Sequence, residues 1–203
     1  MFACSLDWPG LCRPGKNEAQ ALQAFAPYVS RYAEVATEAG VPFPAQAGAD
    51  LKVVERVTGS ATTDFGAPGA QATKDSEAMD REEAERLVAL LEASWRVFDR
   101  IVAGAPAALR KGPRGGGRDR DKIVNHVLEA EAAYARKIGL RLHAPAPQDA
   151  AAVSDFRQAI RERLGEGSDG RPMAEKGWPA RYARPRRRAA ASWRSAWPTS
   201  GSR

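Results

Sequence analysis

The residues best suited to chemistry lie in one stretch near the middle of the chain, a basic glycine-rich segment that precedes a histidine. The run KGPRGGGR contains three cations, Lys111, Arg114 and Arg118, and its glycines leave backbone N–H groups accessible. Such a loop in front of a helix can hold an anion such as phosphate. No Gly-Lys-Ser/Thr follows, so the run is not a Walker loop. A flexible basic hairpin between two helices is the simpler interpretation, and we favour it.

His126, which follows this loop, is the candidate metal ligand. The chain has only one other histidine, His143. A divalent metal such as zinc or nickel would therefore need carboxylates as well, for example those of Glu129, Glu131 or Asp155, and this ligand set is less typical of zinc. The alternative is a structural histidine with no metal. No Ser-His-Asp or Cys-His arrangement can be argued from the spacing.

The segment that carries His126 has the clearest helical pattern in the chain. Its main apolar stripe recurs at steps of three or four and consists of Ile123, Val127, Ala130, Tyr134 and Ile138. Val124 and Leu128 widen this stripe on one side, and Glu131 falls inside the widened arc. A buried carboxylate is costly unless it is paired, so we expect an arginine or a ligand beside Glu131.

The first sixty residues predict a small α+β unit. Alternating apolar residues predict a half-buried strand at 2–8, turns follow at 8–10 and 13–15, and a short return strand fits between them. A helical stripe then runs to Gly40, and β-branched residues predict another strand at 51–58. Cys4 is in phase with this alternation, which predicts a buried thiol. Cys12 is less constrained and could be exposed.

After residue 75 the pattern becomes helical. We expect a long helix from Asp80, the helix that carries His126, and a third helix from Asp149. Three helices that each have one apolar face can bury those faces by packing as a bundle. The predicted fold is therefore α+β: a strand-turn-helix-strand unit at 1–60, a linker at 61–75, an up-and-down helical bundle at 76–182 and an irregular basic tail at 183–203.

Charge separates the tail from the rest of the chain. The 203 residues carry a net charge of +6, but positions 171–203 hold eight arginines and Lys176 against a single acid, Glu175. The tail region thus carries +8 and the remainder −2, so the basic pI does not describe the body of the protein. The arginines and tryptophans of the tail could bind nucleic acid, and a solvated tail is the alternative we favour. The apolar runs are too short to span a bilayer, which predicts a cytoplasmic protein with no membrane partner.

The run DRDKIVNHVLEAEAAYARKIG, after a long helix and a glycine-rich loop, resembles the second helix of the DinB-like four-helix bundles, which are widespread in bacteria. The resemblance covers residues 76–182. Many members bind a divalent metal through three histidines, and some are thiol-dependent transferases or isomerases. The resemblance implies that His126 is the first ligand. In relatives a final helix carries a His-x-x-x-His pair, whereas residues 186–203 here contain no histidine.

The start of the chain has a second, shorter resemblance. SLDWPGLCRPGKNEAQALQAF is similar to the strand–turn–helix of HicB-like antitoxin domains, which implies a partner-binding module. Two functions follow from the two resemblances and from the composition of the tail. One is a metal-dependent, thiol-transferase-like enzyme or an inactive relative of such an enzyme. The other is a non-enzymatic protein that binds a partner or nucleic acid through the N-terminal unit or the tail. A homodimer is left open.

Overall fold

The computed structural model of the chain describes residues 1–44, 46–49, 51–64, 70–109, 117–175 and 177. Two short strands precede four long helices of 16 to 24 residues. The elements are β1 (Phe2–Cys4), β2 (Cys12–Pro14), α1 (Glu18–Glu38), the single turn α2 (Ala61–Asp64), a 3₁₀ turn (Thr73–Ser76), α3 (Arg81–Gly104), α4 (Arg120–Lys137) and α5 (Ala150–Gly165). No helix in these described ranges is long and apolar enough to cross a membrane.

This content is α+β, as the sequence predicts, and the three helices expected after residue 75 are present as α3, α4 and α5. Their up-and-down order as a bundle stays a prediction, as does the division of the chain at 61–75. The tail at 183–203 lies outside the described residues.

The N-terminal strands form an antiparallel hairpin in which the predicted return strand is β2. The hairpin pairs Phe2 with Pro14 and Cys4 with Cys12. The alternating pattern extends to Trp8, but β1 ends at Cys4 because the backbone bends over residues 6–8 before the turn. Cys4 is partly buried. Cys12, for which the sequence allowed exposure, is buried in β2, which pairs with β1 and lies beside α1.

The prediction of a strand at residues 51–58 is wrong. This stretch runs without turn, bend or ladder, and each of its residues is exposed. Its β-branched composition suits a strand, but a strand is stable only when its backbone groups pair with a neighbour. Within the described ranges no backbone group of residues 51–58 makes a hydrogen bond.

Helix α1 begins and ends where its capping residues predict. The Asn17 side chain accepts a hydrogen bond of 2.9 Å from the backbone N–H of Gln20, and Gln20 Oε1 accepts from the N–H of Lys16 at 3.3 Å. These contacts satisfy backbone donors that the first helical turn leaves free. After the helix, Gly40 adopts a φ of 67°, which glycine reaches at little cost.

Helix α3 buries two different faces, one against α1 and the other against α4 and α5. One apolar face contacts α1, where Val35 meets Ala93 and Val97. The same face of α3 continues into a larger cluster with Leu87 and Leu90. Another face contacts α4 and α5 through a cluster that contains Leu91, Trp95, Leu128, Ala132, Ala135, Ile138, Phe156, Ile160 and Leu164.

Helix α4 is rotated relative to its predicted stripe. Ala130 and Tyr134 are partly exposed, whereas Leu128, Ala132 and Ala135 are buried against α3 and α5. The buried face of α4 is therefore centred on the side of the predicted arc that carries Leu128, and not on the side that carries Ala130 and Tyr134. This rotation brings Glu131 to the interior, since it lies one turn after Leu128 and one turn before Ala135 on a helix of 3.6 residues per turn.

We expect the Asp80→Ala substitution to lower the free energy of unfolding by about 1 kcal/mol. The Asp80 carboxylate accepts a hydrogen bond of 2.8 Å from the N–H of Glu83 at the start of α3, and alanine leaves that donor without its cap. Asp80→Asn is the matched control, because asparagine caps helices as well as aspartate does. Urea unfolding checks both variants, and equal midpoints for Asp80→Ala and wild type would contradict the role of the cap.

Candidate functional site

The candidate site is centred on the carboxyl group of Glu131, which lies on the face of α4 that packs against α3 and α5. Trp95 on α3 donates a hydrogen bond of 2.8 Å from Nε1 to Glu131 Oε1. The other oxygen, Oε2, is buried and has no hydrogen-bond partner in the described part of the chain. Residue 131 as a whole keeps some exposed surface. The carboxyl group is thus held by one bond and retains one unused acceptor.

An ion pair between α5 and α3 lies beside this carboxyl group. Arg157 on α5 donates two hydrogen bonds to Asp99 on α3, at 2.6 Å from Nη1 and 3.0 Å from Nη2. Its guanidinium carbon lies 5.2 Å from the centroid of the Trp95 ring. The Arg157 Nε atom is buried and, among the described residues, unpartnered. The cluster therefore contains one buried acceptor and one buried donor that no described residue satisfies.

Burial raises the pKa of the Glu131 carboxyl from its ordinary value to about 7, because the charged form loses its hydration. The positive charge of Arg157 and the hydrogen bond from Trp95 oppose this increase, and the negative charge of Asp99 adds to it. A carboxyl group with this pKa exchanges its proton near neutral pH. It can act as an acid, as a base or as a pH-dependent partner for a polar group.

The expectation of an arginine beside Glu131 is met by Arg157, which acts through its charge. The sequence pattern does not predict the direct partner, the indole of Trp95, because Trp95 follows Leu91 by four residues on an apolar face of its helix, which is typical of a core residue. The signal was available in principle, since a buried tryptophan N–H usually finds an acceptor.

His126 is partly buried and lies on a different side of α4 from this cluster. Five residues separate it from Glu131, which corresponds to about 140° around a helix axis of 3.6 residues per turn. His143 is exposed in the connector before α5. Among the described residues no group of three or more His, Cys, Asp or Glu could hold a metal ion. The described side chains thus do not fit a divalent metal, and the role of His126 as a ligand stays a prediction.

The anion-binding hypothesis rests on three cations, of which the structure describes one. Lys111 and Arg114 lie outside the described residues, and Arg118 is exposed just before α4. The described ends of the loop are tied together. Asp119 Oδ1 accepts from the N–H of Leu109 at 3.3 Å, and Arg120 donates a bond of 3.0 Å to the carbonyl of Ala105. Joined ends suit the favoured interpretation as a hairpin, and anion binding stays a prediction.

A different surface feature is the exposed run at residues 51–58, which we call the valine segment. Its apolar members are Leu51, Val53, Val54 and Val57, and Val54 is the most open at 65% exposed. Two contacts hold the segment to the body. Arg56 forms two hydrogen bonds of 2.8 Å with Glu18 of α1, and Glu55 accepts from the N–H of Thr73 at 2.9 Å. The segment is therefore anchored although its backbone is not paired.

Comparison of the chain with protein-family models, with curated proteins and with solved structures found no match.

We expect Glu131→Gln to remove a pH dependence of stability. The folded-state pKa of about 7 is raised above the ordinary value of 4.5, so the folded protein holds this proton more tightly. The resulting stability is fully present below pH 4.5 and is lost as the pH rises through 7. The loss is roughly 3 kcal/mol at full deprotonation. Glutamine is neutral at every pH and retains an oxygen for Trp95.

Urea unfolding between pH 5 and pH 8 measures this effect. Wild type should lose stability over that range relative to Glu131→Gln, and the variant should be the more stable protein at the alkaline end. Glu129→Gln is the matched control, since Glu129 is exposed on the same helix and its replacement should leave the pH dependence unchanged. Parallel profiles for wild type and Glu131→Gln would contradict the raised pKa.

Proposed function

We propose that this is a non-enzymatic partner-binding protein that docks an extended segment of another polypeptide along the valine segment. The observation that carries the proposal is the combination of exposed valines with an unpaired backbone at residues 51–58. Soluble proteins often expose single apolar residues, whereas four exposed apolar residues within residues 51–57 support an interaction surface. An unpaired extended backbone is also the template for strand addition, in which main-chain hydrogen bonds supply affinity.

The anchoring contacts support this function because they reduce the cost of ordering the segment. Arg56 and Glu55 are neighbours, and they are held to α1 and to the 3₁₀ turn respectively. Glu18 pairs with Arg56, and this hydrogen bond lowers the pKa of the Glu18 carboxyl, so the pair persists at neutral pH. A segment that runs without turn or bend and is held at its middle loses less conformational entropy when a second strand binds.

The chemistry of the segment also indicates what kind of partner fits. In an extended chain successive side chains point to opposite sides, so Val53 and Val57 would lie on one side and Val54 on the other. Lys52 has no ion-pair partner among the described residues. A complementary strand would carry β-branched or aromatic residues opposite the valines and an acidic residue opposite Lys52.

We expect Val54→Asp to abolish partner capture without unfolding the protein. Val54 is exposed, so the substitution should change the free energy of unfolding by less than about 0.5 kcal/mol. A buried carboxylate opposite a strand would, however, oppose binding. Val54→Ile is the matched control, because isoleucine keeps the apolar, β-branched surface.

The measurement compares proteins retained from a lysate of the source cell by wild type, Val54→Asp and Val54→Ile. A retained protein counts only if it is then purified and slows amide hydrogen exchange at residues 51–58 of wild type. The proposal fails if wild type and Val54→Asp retain the same proteins, or if a purified partner leaves the exchange of these amides unchanged.

The DinB-like resemblance leads to a second proposal, an inactive relative of the metal-dependent thiol-transferase-like enzymes. The supporting observation is that the described residues around His126 supply no ligand set, although three helices follow residue 75. Beyond the side chains that the structure describes, the sequence adds only the side-chain carboxylates of Asp50 and Asp64 to the potential ligands. Nucleic-acid binding through the arginine tail remains a separate proposal on residues that the structure does not describe.

We expect the protein purified without a histidine tag to contain well below one zinc or nickel ion per chain. Elemental analysis of wild type and His126→Ala measures this, with His143→Ala as control because that histidine is exposed in a connector. Stoichiometric metal in wild type and in His143→Ala that disappears in His126→Ala would overturn the inactive-relative proposal and favour an enzyme.

A further inference from the structure

The two cysteines of the chain occupy directly opposite positions on the N-terminal hairpin. Cys4 in β1 and Cys12 in β2 are register partners, and both are present as thiols. The chain contains no other cysteine. Directly opposite residues of an antiparallel pair project from the same face of the sheet, so the two sulfur atoms lie on one side of the hairpin.

The hydrogen-bond pattern shows which kind of pair they form. Met1 and Gly15 exchange both backbone bonds, at 3.0 Å and 2.9 Å, and the N–H of Ser5 donates to the carbonyl of Leu11 at 2.9 Å. Hydrogen-bonded and non-hydrogen-bonded pairs alternate along an antiparallel ladder. Cys4 and Cys12 therefore form a non-hydrogen-bonded pair, in which the Cα atoms stand about 4.5 Å apart. A disulfide requires Cα atoms between roughly 4.4 and 6.8 Å apart.

The other face of the hairpin is fixed to α1. Leu11 is buried in the cluster that contains Phe25 and Val29, and the Arg13 guanidinium carbon lies 3.2 Å from the centroid of the Tyr28 ring. The hairpin register is thus held by packing and not by the cysteines. The two thiols are kept opposite each other before any bond forms between them.

The cysteines differ in accessibility, which assigns an order of reaction. Cys4 is partly exposed, whereas Cys12 is only 8% exposed. A reagent from solution reaches Cys4 more readily, and Cys12 is placed to attack a sulfur that has bonded to Cys4.

We propose that Cys4 and Cys12 are a dithiol–disulfide redox site whose oxidant is a low-molecular-weight disulfide. The Cys4 thiolate attacks one sulfur of the small disulfide, whose S–S bond breaks and releases one thiolate. The Cys12 thiolate then attacks the Cys4 sulfur of the mixed disulfide, forms the Cys4–Cys12 bond and releases the second small thiolate. The protein loses two electrons and two protons, and the small disulfide gains them as two thiols.

Oxidised glutathione, used on the folded full-length chain, tests this site. After treatment and blocking of remaining thiols with N-ethylmaleimide, the intact mass should fall by two hydrogens and carry no blocking group. A protease that cleaves before Asp7 separates the two cysteines, because no other aspartate precedes Asp50. The fragment 1–6 should stay attached to the fragment 7–49 until a reductant is added.

Two variants test the order of reaction. Cys12→Ser should accumulate one glutathione on Cys4, because the second attack is lost. Cys4→Ser should react about tenfold more slowly than Cys12→Ser, because the remaining thiol is buried. Circular dichroism of both variants confirms that they remain folded, and a comparison of wild type in buffer and in urea shows whether the fold speeds closure.

Two glutathiones per wild-type chain, disulfide-linked dimers, or no reaction at all would each overturn the proposal. Closure that is no faster in the folded chain than in urea would also overturn it, because the hairpin would then not position the thiols. None of these results depends on the valine segment, so they leave the proposed partner binding untouched.

Discussion

The burial of α3 on more than one face is the constraint on which the rest of the described structure depends. Residues of α3 enter each of the four apolar clusters that the described residues form. Val97 and Ala93 are fully buried against α1, and Trp95 and Leu91 are buried against α4 and α5. A helix that buries two faces exposes far more apolar area to solvent when the protein unfolds than an ordinary amphipathic helix does. The neighbouring helices are therefore positioned by α3 and not by direct contacts with each other alone.

Ion pairs between α1 and α3 lie beside their apolar contacts. Arg100 of α3 pairs with Glu34 and Glu38 of α1, and Arg96 also reaches Glu38, whose carboxyl pKa is lowered by both arginines. Exposed ion pairs of this kind contribute little individually, so they select the relative placement of the two helices more than they stabilise it. In the Glu131 cluster, by contrast, burial raises the carboxyl pKa to about 7, so both the neutral and the charged form are populated near neutral pH.

The two surfaces proposed to act in recognition and in redox chemistry both lie against α1. The hairpin packs on α1 through Leu11 and Arg13, and the valine segment is held to the first turn of α1 by the Glu18–Arg56 pair. Neither surface belongs to the helical part that resembles the DinB-like bundles. Both proposed surfaces are therefore supported by α1, which packs on α3.

The sequence by itself determined the helices and their ends, because capping and helical periodicity are local. Asp80 and Asp149 cap the helices that the sequence predicts to begin there, and Phe156, Ile160 and Leu164 of α5 are buried. Tertiary structure alone decided the features that need a partner from elsewhere in the chain. The valines at 51–58 have strand composition but no strand beside them, and the buried face of α4 is turned so that Glu131 meets Trp95 and Arg157. The physical reason is that ladder pairing and burial depend on residues distant in sequence, so local pattern limits these outcomes but does not select among them.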